Sequence, residues 1–175
     1  LYIGYRWFTA RHLEPAVPFG HGLSYASFEW GTPNVTGSQS TDLSSDVVVE
    51  VDVTNTSERS GTEVVQLYIA PPESTLHRPP IELKGYAKLS LKPGETKTAS
   101  ITLNFRSFAY FDPGDQFYNT LDANSPVPRE TGSRRTEPGW YAEPGVYGLV
   151  VARSATNHHA VIEWELSGEE NYQHP

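Results

Sequence analysis

Residues 46–54 read DVVVEVDVT, with Val47, Val49, Val51 and Val53 on one parity and Glu50, Asp52 and Thr54 on the other. On an extended chain successive side chains point to opposite faces, so this period of two marks a strand with one buried and one wet face. The pattern recurs outward from that stretch. In 62–70, Val65, Leu67 and Ile69 alternate with Gln66 and Tyr68, and in 160–166, Ile162, Trp164 and Leu166 alternate with Glu163 and Glu165. Residues 83–91, 96–103, 107–111 and 146–152 complete the set of expected strands. Turn chemistry separates them: Asn55-Thr56-Ser57 through Gly61, Lys92-Pro93-Gly94-Glu95, and Glu143-Pro144-Gly145. No window carries a sustained apolar stripe of helical period. The reading is all-β, an antiparallel sandwich of about seven strands.

Of 175 residues none is Cys and none is Met. Zero Cys removes disulfides, zinc-finger and iron–sulfur ligation, and thiol nucleophiles together. It also excludes the bridge-stapled immunoglobulin variety of sandwich and favours the fibronectin type III-like one. The missing initiator predicts that a chain opening Leu1-Tyr2-Ile3 is a cleaved or excised piece of something longer. The net charge of −8 argues against nucleic-acid partners, which require a basic surface, and against anionic membrane surfaces. No apolar run is long enough to span a bilayer as a helix.

The chain divides into a head, residues 1–27, and a β-rich body, residues 28–175. The head, LYIGYRWFTARHLEPAVPFGHGLSYAS, is aromatic and broken by Gly and Pro, so it is expected to pack on a larger neighbour rather than face water. In the body, residues 112–139 have no alternation and are rich in Pro, Gly, Asp, Asn, Ser and Arg, which reads as a long insertion between two late strands.

Catalytic patterns are wanting. The acids at Glu50/Asp52 and Glu163/Glu165 fall on solvent faces of strands, and a flat sandwich face supplies no sugar-sized cleft between paired carboxylates. Gly20-His21-Gly22-Leu23-Ser24 is not a nucleophile elbow, and no phosphate-cradling loop is present. His158 and His159 are adjacent and point to opposite faces, a poor arrangement for one metal. Thus no catalytic residue, metal ligand or cofactor site is expected. Two Asn-x-Ser/Thr sequons, at Asn34 and Asn55, are candidate N-glycosylation sites. Tyr110, Phe117, Tyr118, Trp140 and Tyr141 flank or lie within the insertion. They either pack it onto the sandwich or form a platform for carbohydrate stacking.

Gly4-Tyr5-Arg6-Trp7-Phe8, then Glu14-Pro15, then Pro18-Phe19-Gly20-His21-Gly22-Leu23-Ser24-Tyr25 resemble the junction that leads into the C-terminal domain of glycoside hydrolase family 3 enzymes. The likeness continues in order through Gly61-Thr62-Glu63-Val64-Val65-Gln66-Leu67-Tyr68, Arg78-Pro79-Pro80-Ile81-Glu82-Leu83-Lys84-Gly85-Tyr86, Leu91-Lys92-Pro93-Gly94-Glu95-Thr96, Phe108-Ala109-Tyr110-Phe111-Asp112 and Glu143-Pro144-Gly145-Val146-Tyr147. It covers roughly residues 1–166; the 112–139 insertion is a departure. The resemblance implies a non-catalytic fibronectin type III-like domain of a β-glucosidase, preceded by an interdomain segment. Both catalytic carboxylates would lie upstream of Leu1, and the setting would be secreted or extracellular. Tyr5, Arg6, Trp7, Phe19, His21, Leu23 and Tyr25 would then be packed against the catalytic domains. Two other functions fit the same residues: a free-standing module that binds polysaccharide through the insertion aromatics, and an adhesion or self-association module that uses the head.

Overall fold

The computed structural model describes residues 2–37, 46–74, 76–114 and 135–168, with the backbone alone of 170–172. Eleven strands and two short helices are seen among them: α1 (Tyr5–Ala10), β1 (Phe28–Trp30), β2 (Asn34–Gly37), β3 (Val47–Asn55), β4 (Gly61–Ala70), β5 (Glu82–Leu91), β6 (Thr96–Leu103), α2 (Phe105–Phe108), β7 (Tyr110–Asp112), β8 (Gly139–Ala142), β9 (Gly145–Ala152), β10 (His158–Leu166) and β11 (Glu170–Tyr172).

Two antiparallel sheets face each other. In the first, β3 pairs along its length with β6, so β1 and β2 share its other edge as one strand interrupted at residues 31–33. In the second, the order is β10-β9-β4-β5. Counted by position, the two sheets hold seven strands, the number expected of a fibronectin type III-like sandwich. Val47, Val49, Val51 and Val53 of β3 are buried and meet Val65, Leu67 and Ile69 of β4, Leu149 and Val151 of β9, and Trp164 and Leu166 of β10 in one continuous core. Phe108, Tyr147 and Trp164 close one end with ring centroids 4.8–6.2 Å apart. The β5–β6 hairpin turns at Gly94, whose φ of +71° suits a residue without a side chain. There the Glu95 amide donates to Lys92 O at 3.0 Å.

Three expectations need correction. Residues 107–111 are not one strand: Phe108 is buried at the end of a single helical turn, and the strand that follows is Tyr110–Asp112. The insertion read at 112–139 begins and ends in strand: Asp112 closes β7 and Gly139 opens β8, a strand missing from the expected set, which joins β7 and β11 in a third, three-stranded sheet. Its residues alternate too briefly to stand out in the sequence. The third correction concerns β4. Gln66 and Tyr68, assigned by alternation to a wet face, are as buried as Val65, Leu67 and Ile69. A second apolar cluster of Tyr68, Ile81, Val150, Ala152 and Ala155 covers the outer face of this sheet, packed against Tyr5 and Leu83. The head lies on that face, so β4 is buried on both sides.

Candidate functional site

The head is built from a tight turn at Gly4 (φ +61°), the short helix α1, and an irregular run through Gly20. Its inner side is bolted to the sandwich. The Leu83 amide lies on β5, the edge strand of its sheet, and donates to Tyr5 Oη at 2.7 Å. The Tyr5 ring stacks on Phe19 at 4.8 Å and meets Tyr68 edge-on at 5.7 Å. Gln66 Nε2 donates both to Gly20 O (3.0 Å) and to Arg153 O (2.7 Å), while Tyr68 Oη donates to Gln66 Oε1 at 2.5 Å. The Ala155 amide donates to Phe19 O at 2.9 Å. These bonds satisfy polar groups that would be costly to bury unpaired. Burial also pushes the Tyr68 hydroxyl well above the ordinary tyrosine range.

Its outer side is apolar and uncovered. Ile3, Leu13, Val17 and Phe19 are exposed, and Leu23 and Tyr25 retain 93% and 94% of their accessible surface. Trp7 is exposed too, with the Arg11 guanidinium 4.6 Å from its ring centroid. A cavity of about 430 Å3, lined by Phe8, Leu13, Val17 and Phe19 among others, opens between α1 and the turn at residues 155–156. Soluble monomers rarely leave so many large apolar side chains together in water unless a partner covers them.

The residues grouped from the sequence as packing on a neighbour therefore part ways. Tyr5 points into its own sandwich, Arg6 is half-buried 4.0 Å from Glu82, and Phe19 uses one face inward. Trp7, His21, Leu23 and Tyr25 face out. Gln66, Glu63 and Arg153 escaped the sequence reading. Arg153 crosses between the sheets, donating to Glu63 Oε1 at 2.6 Å and to Phe28 O at 2.9 Å while lying 4.5 Å from the Trp30 ring centroid. Burial raises the Glu63 carboxyl despite Arg153 and the Trp30 Nε1 donor.

Among the described residues, the aromatics Tyr110, Trp140 and Tyr141 do not line up as an open row. Tyr110 faces Tyr141 across β7–β8. Tyr141 is buried, donates to Glu137 O at 2.9 Å, and has Arg135 4.0 Å from its ring centroid. Tyr110 donates to Glu143 Oε1 at 2.7 Å. Trp140 carries Arg106 3.5 Å from its ring centroid and meets Phe111, which is half-exposed, at 5.5 Å. Phe117 and Tyr118 lie outside the described residues. Of the sequons, Asn34 sits exposed on β2, whereas Asn55 is fully buried. Asn55 Nδ2 donates to Arg59 O (2.7 Å) and Leu91 O (3.1 Å), and its Oδ1 accepts from the Ser57 amide and hydroxyl. In the folded domain Asn55 clamps a turn and has no room for a glycan. His158 and His159 each lie beside a backbone carbonyl, Ala155 O and Gly31 O. Among the described residues no three His, Asp or Glu side chains gather as a metal site.

Residues 63–155 match the family model for the fibronectin type III-like domain. The chain belongs to that family. A β-glucosidase of Rhizobium radiobacter is 38% identical to this fibronectin type III-like chain over 167 residues, covering 95% of it. The thermostable β-glucosidase B of Acetivibrio thermocellus is 37% identical over 155. The chain spans only 17% and 18% of those two proteins. Among solved structures, β-glucosidase 3B from Thermotoga neapolitana superposes with a TM-score of 0.78 at 28% identity, and the β-glucosidase of Kluyveromyces marxianus with 0.75 at 31%. Each alignment covers 98% of the domain and 20% or 18% of the larger chain. The head is thus included in the likeness, as well as the sandwich.

Proposed function

We propose that this domain is a non-catalytic accessory module of a family 3 β-glucosidase, and that it packs against and stabilises the catalytic domains through the outer side of its head. The observation that carries this is the division of labour within the head. Its inner side is hydrogen-bonded to the sandwich, which presents the outer side as a fixed apolar surface. Apolar surface buried on docking contributes roughly 25 cal/mol per Å2, and a preformed face loses little further entropy on binding. Support comes also from relatives that are several times longer than the chain.

The test is reconstitution. Expressed as a separate chain beside the barrel and α/β domains of a family 3 enzyme, the domain is expected to co-purify with them and raise their thermal midpoint. Leu23→Asp with Tyr25→Asp is expected to abolish both effects. Alone, the domain is expected to leave 4-nitrophenyl β-glucoside intact, and turnover surviving removal of host glycosidases would overturn the assignment. Retention on insoluble glucan would favour a free-standing carbohydrate module. Light scattering that gives a stable dimer through the head would favour self-association.

A further inference from the structure

Beside the head, where α1 meets β5 and the β7–β8 pair, a cavity of about 330 Å3 is walled by cations and rings in a chain that is acidic overall. Arg6, Arg78 and Lys84 line it, against a single carboxylate, Glu82. All three turn toward that one group: Lys84 Nζ at 2.9 Å, Arg78 Nη2 at 3.1 Å and Arg6 Nη2 at 4.0 Å. Among the described residues of the lining, the positive charges exceed the negative by two. The neighbouring acids Asp112 and Glu143 share Arg135, and with Arg106 beside the wall the described cations here still outnumber the described carboxylates five to three. A fourth cation, Arg106, lies on Trp140, itself part of the wall. Arg78 donates Nη1 to Phe108 O at 2.9 Å, yet its buried Nε has no acceptor among the described residues. Like charges gathered in a half-buried place are costly unless an anion joins them.

We propose that this cavity receives a carboxylate, and that the carboxylate is an acidic side chain of the polypeptide that packs against the head. The second half rests on the docking function proposed above. The cavity shares Arg6 with the head helix, and Tyr2 bonds to Arg78 O and packs on His77, another wall residue. It therefore opens at the margin of the uncovered apolar side, where a partner covering Trp7 and Ile3 would reach it. Charge complementarity selects an acidic group, and the surrounding Tyr110 and Trp140 rings would keep the ion pair dry and strong. The Lys84 ammonium, lowered by burial and by Arg78 and Arg6 although Glu82 opposes this, would regain its ordinary basicity with a second carboxylate at hand.

Acetate is the probe. Titrated into the chain against sodium chloride at matched ionic strength, acetate is expected to shift the Lys84 side-chain and Trp140 indole NMR signals saturably, and Lys84→Gln is expected to remove the response. Arg6→Gln, at a third-exposed position, serves if Lys84→Gln does not fold. A response no larger with acetate than with chloride overturns the site. In the reconstitution assay Arg6→Gln is expected to weaken docking about ten-fold, and docked catalytic domains are expected to block acetate. Full docking by Arg6→Gln, where Leu23→Asp with Tyr25→Asp abolishes it, overturns the protein source of the carboxylate. Acetate binding in a chain that never docks would instead overturn the docking function and leave the anion site standing.

Discussion

Tyr5 Oη accepts the backbone amide of Leu83 at 2.7 Å, joining residues 78 positions apart. The amide sits on the edge of a sheet, where an N–H has no neighbouring strand to bond to. One phenol oxygen thus caps an edge strand and anchors the head. Tyr5→Phe keeps the stacking on Phe19 and removes the acceptor. We expect it to cost about 1–3 kcal/mol, the penalty for a half-buried donor left unpaired, measured as a lower urea midpoint. Tyr5→Ala should cost more, and should speed amide exchange in β5 as well.

Gly20 is held at φ +80°, and a Cβ there would collide with the Gln66 side-chain amide. Gly20→Ala therefore strains the backbone and pushes apart the Gln66 network with Tyr68 and Arg153. A loss of about 1–3 kcal/mol is expected, together with raised exposure of Tyr68 to solvent quenchers. An unchanged urea midpoint would show that the head is not held through Gln66.

The same pair of contacts explains what the sequence could and could not disclose. Val47, Val49, Val51 and Val53 announce their strand because one face of β3 is core and the other is water, and period two records that difference directly. Gln66 and Tyr68 show an identical alternation, but their face is covered by a segment more than forty residues upstream. Nothing local distinguishes a polar residue in water from one bonded to Gly20 and Arg153. The aromatic head was legible as a packing surface, yet composition could not say that Tyr5 turns inward while Leu23 and Tyr25 turn out. Similarly, the rings of Tyr141 and Trp140 were visible as rings, but the arginines lying on them come from α2 and from the end of the insertion.

Asn55 provides a covalent test of the same kind of burial. In a secretory host we expect glycan at Asn34 and none at Asn55, read by peptide mass mapping after deglycosylation in heavy-oxygen water. Asn55→Ala removes both donors that hold the Arg59 and Leu91 carbonyls, and is expected to cost about 2–4 kcal/mol in chemical denaturation. Asn34→Ala, at an exposed position, should stay within about 0.5 kcal/mol of the parent.

Acid stability separates Glu82 from Glu63. Burial alone would raise the Glu82 carboxyl, but Lys84 and Arg78 outweigh it and hold the group below its ordinary range. Its contribution is therefore fully present above the unfolded value of about 4.3 and is lost as pH falls through the folded one. Glu63 runs the other way, since burial raises it and protonation on acidification favours the fold. Unfolding free energies measured from pH 6 down to pH 3 should thus fall less steeply in Glu82→Gln, whatever its absolute stability, and more steeply in Glu63→Gln. Parallel curves for all three proteins would show that neither carboxyl titrates differently on folding.

The most direct contrast lies within the head itself, between Tyr5 and Tyr25. Tyr25 touches little in the chain, and Leu23 is equally bare. Truncating them to serine removes no buried area, so the urea midpoint of the isolated domain should move by no more than about 0.5 kcal/mol. Their cost in water should appear elsewhere, as less dye binding to exposed apolar surface and less concentration-dependent association in the double variant. Tyr5→Ala predicts the opposite pair of results, with lower stability and more dye binding as the head comes loose. If Leu23→Ser with Tyr25→Ser destabilised the isolated domain as much as Tyr5→Ala, those side chains would have to be buried in solution, and the outer side of the head could not be the surface offered to a partner.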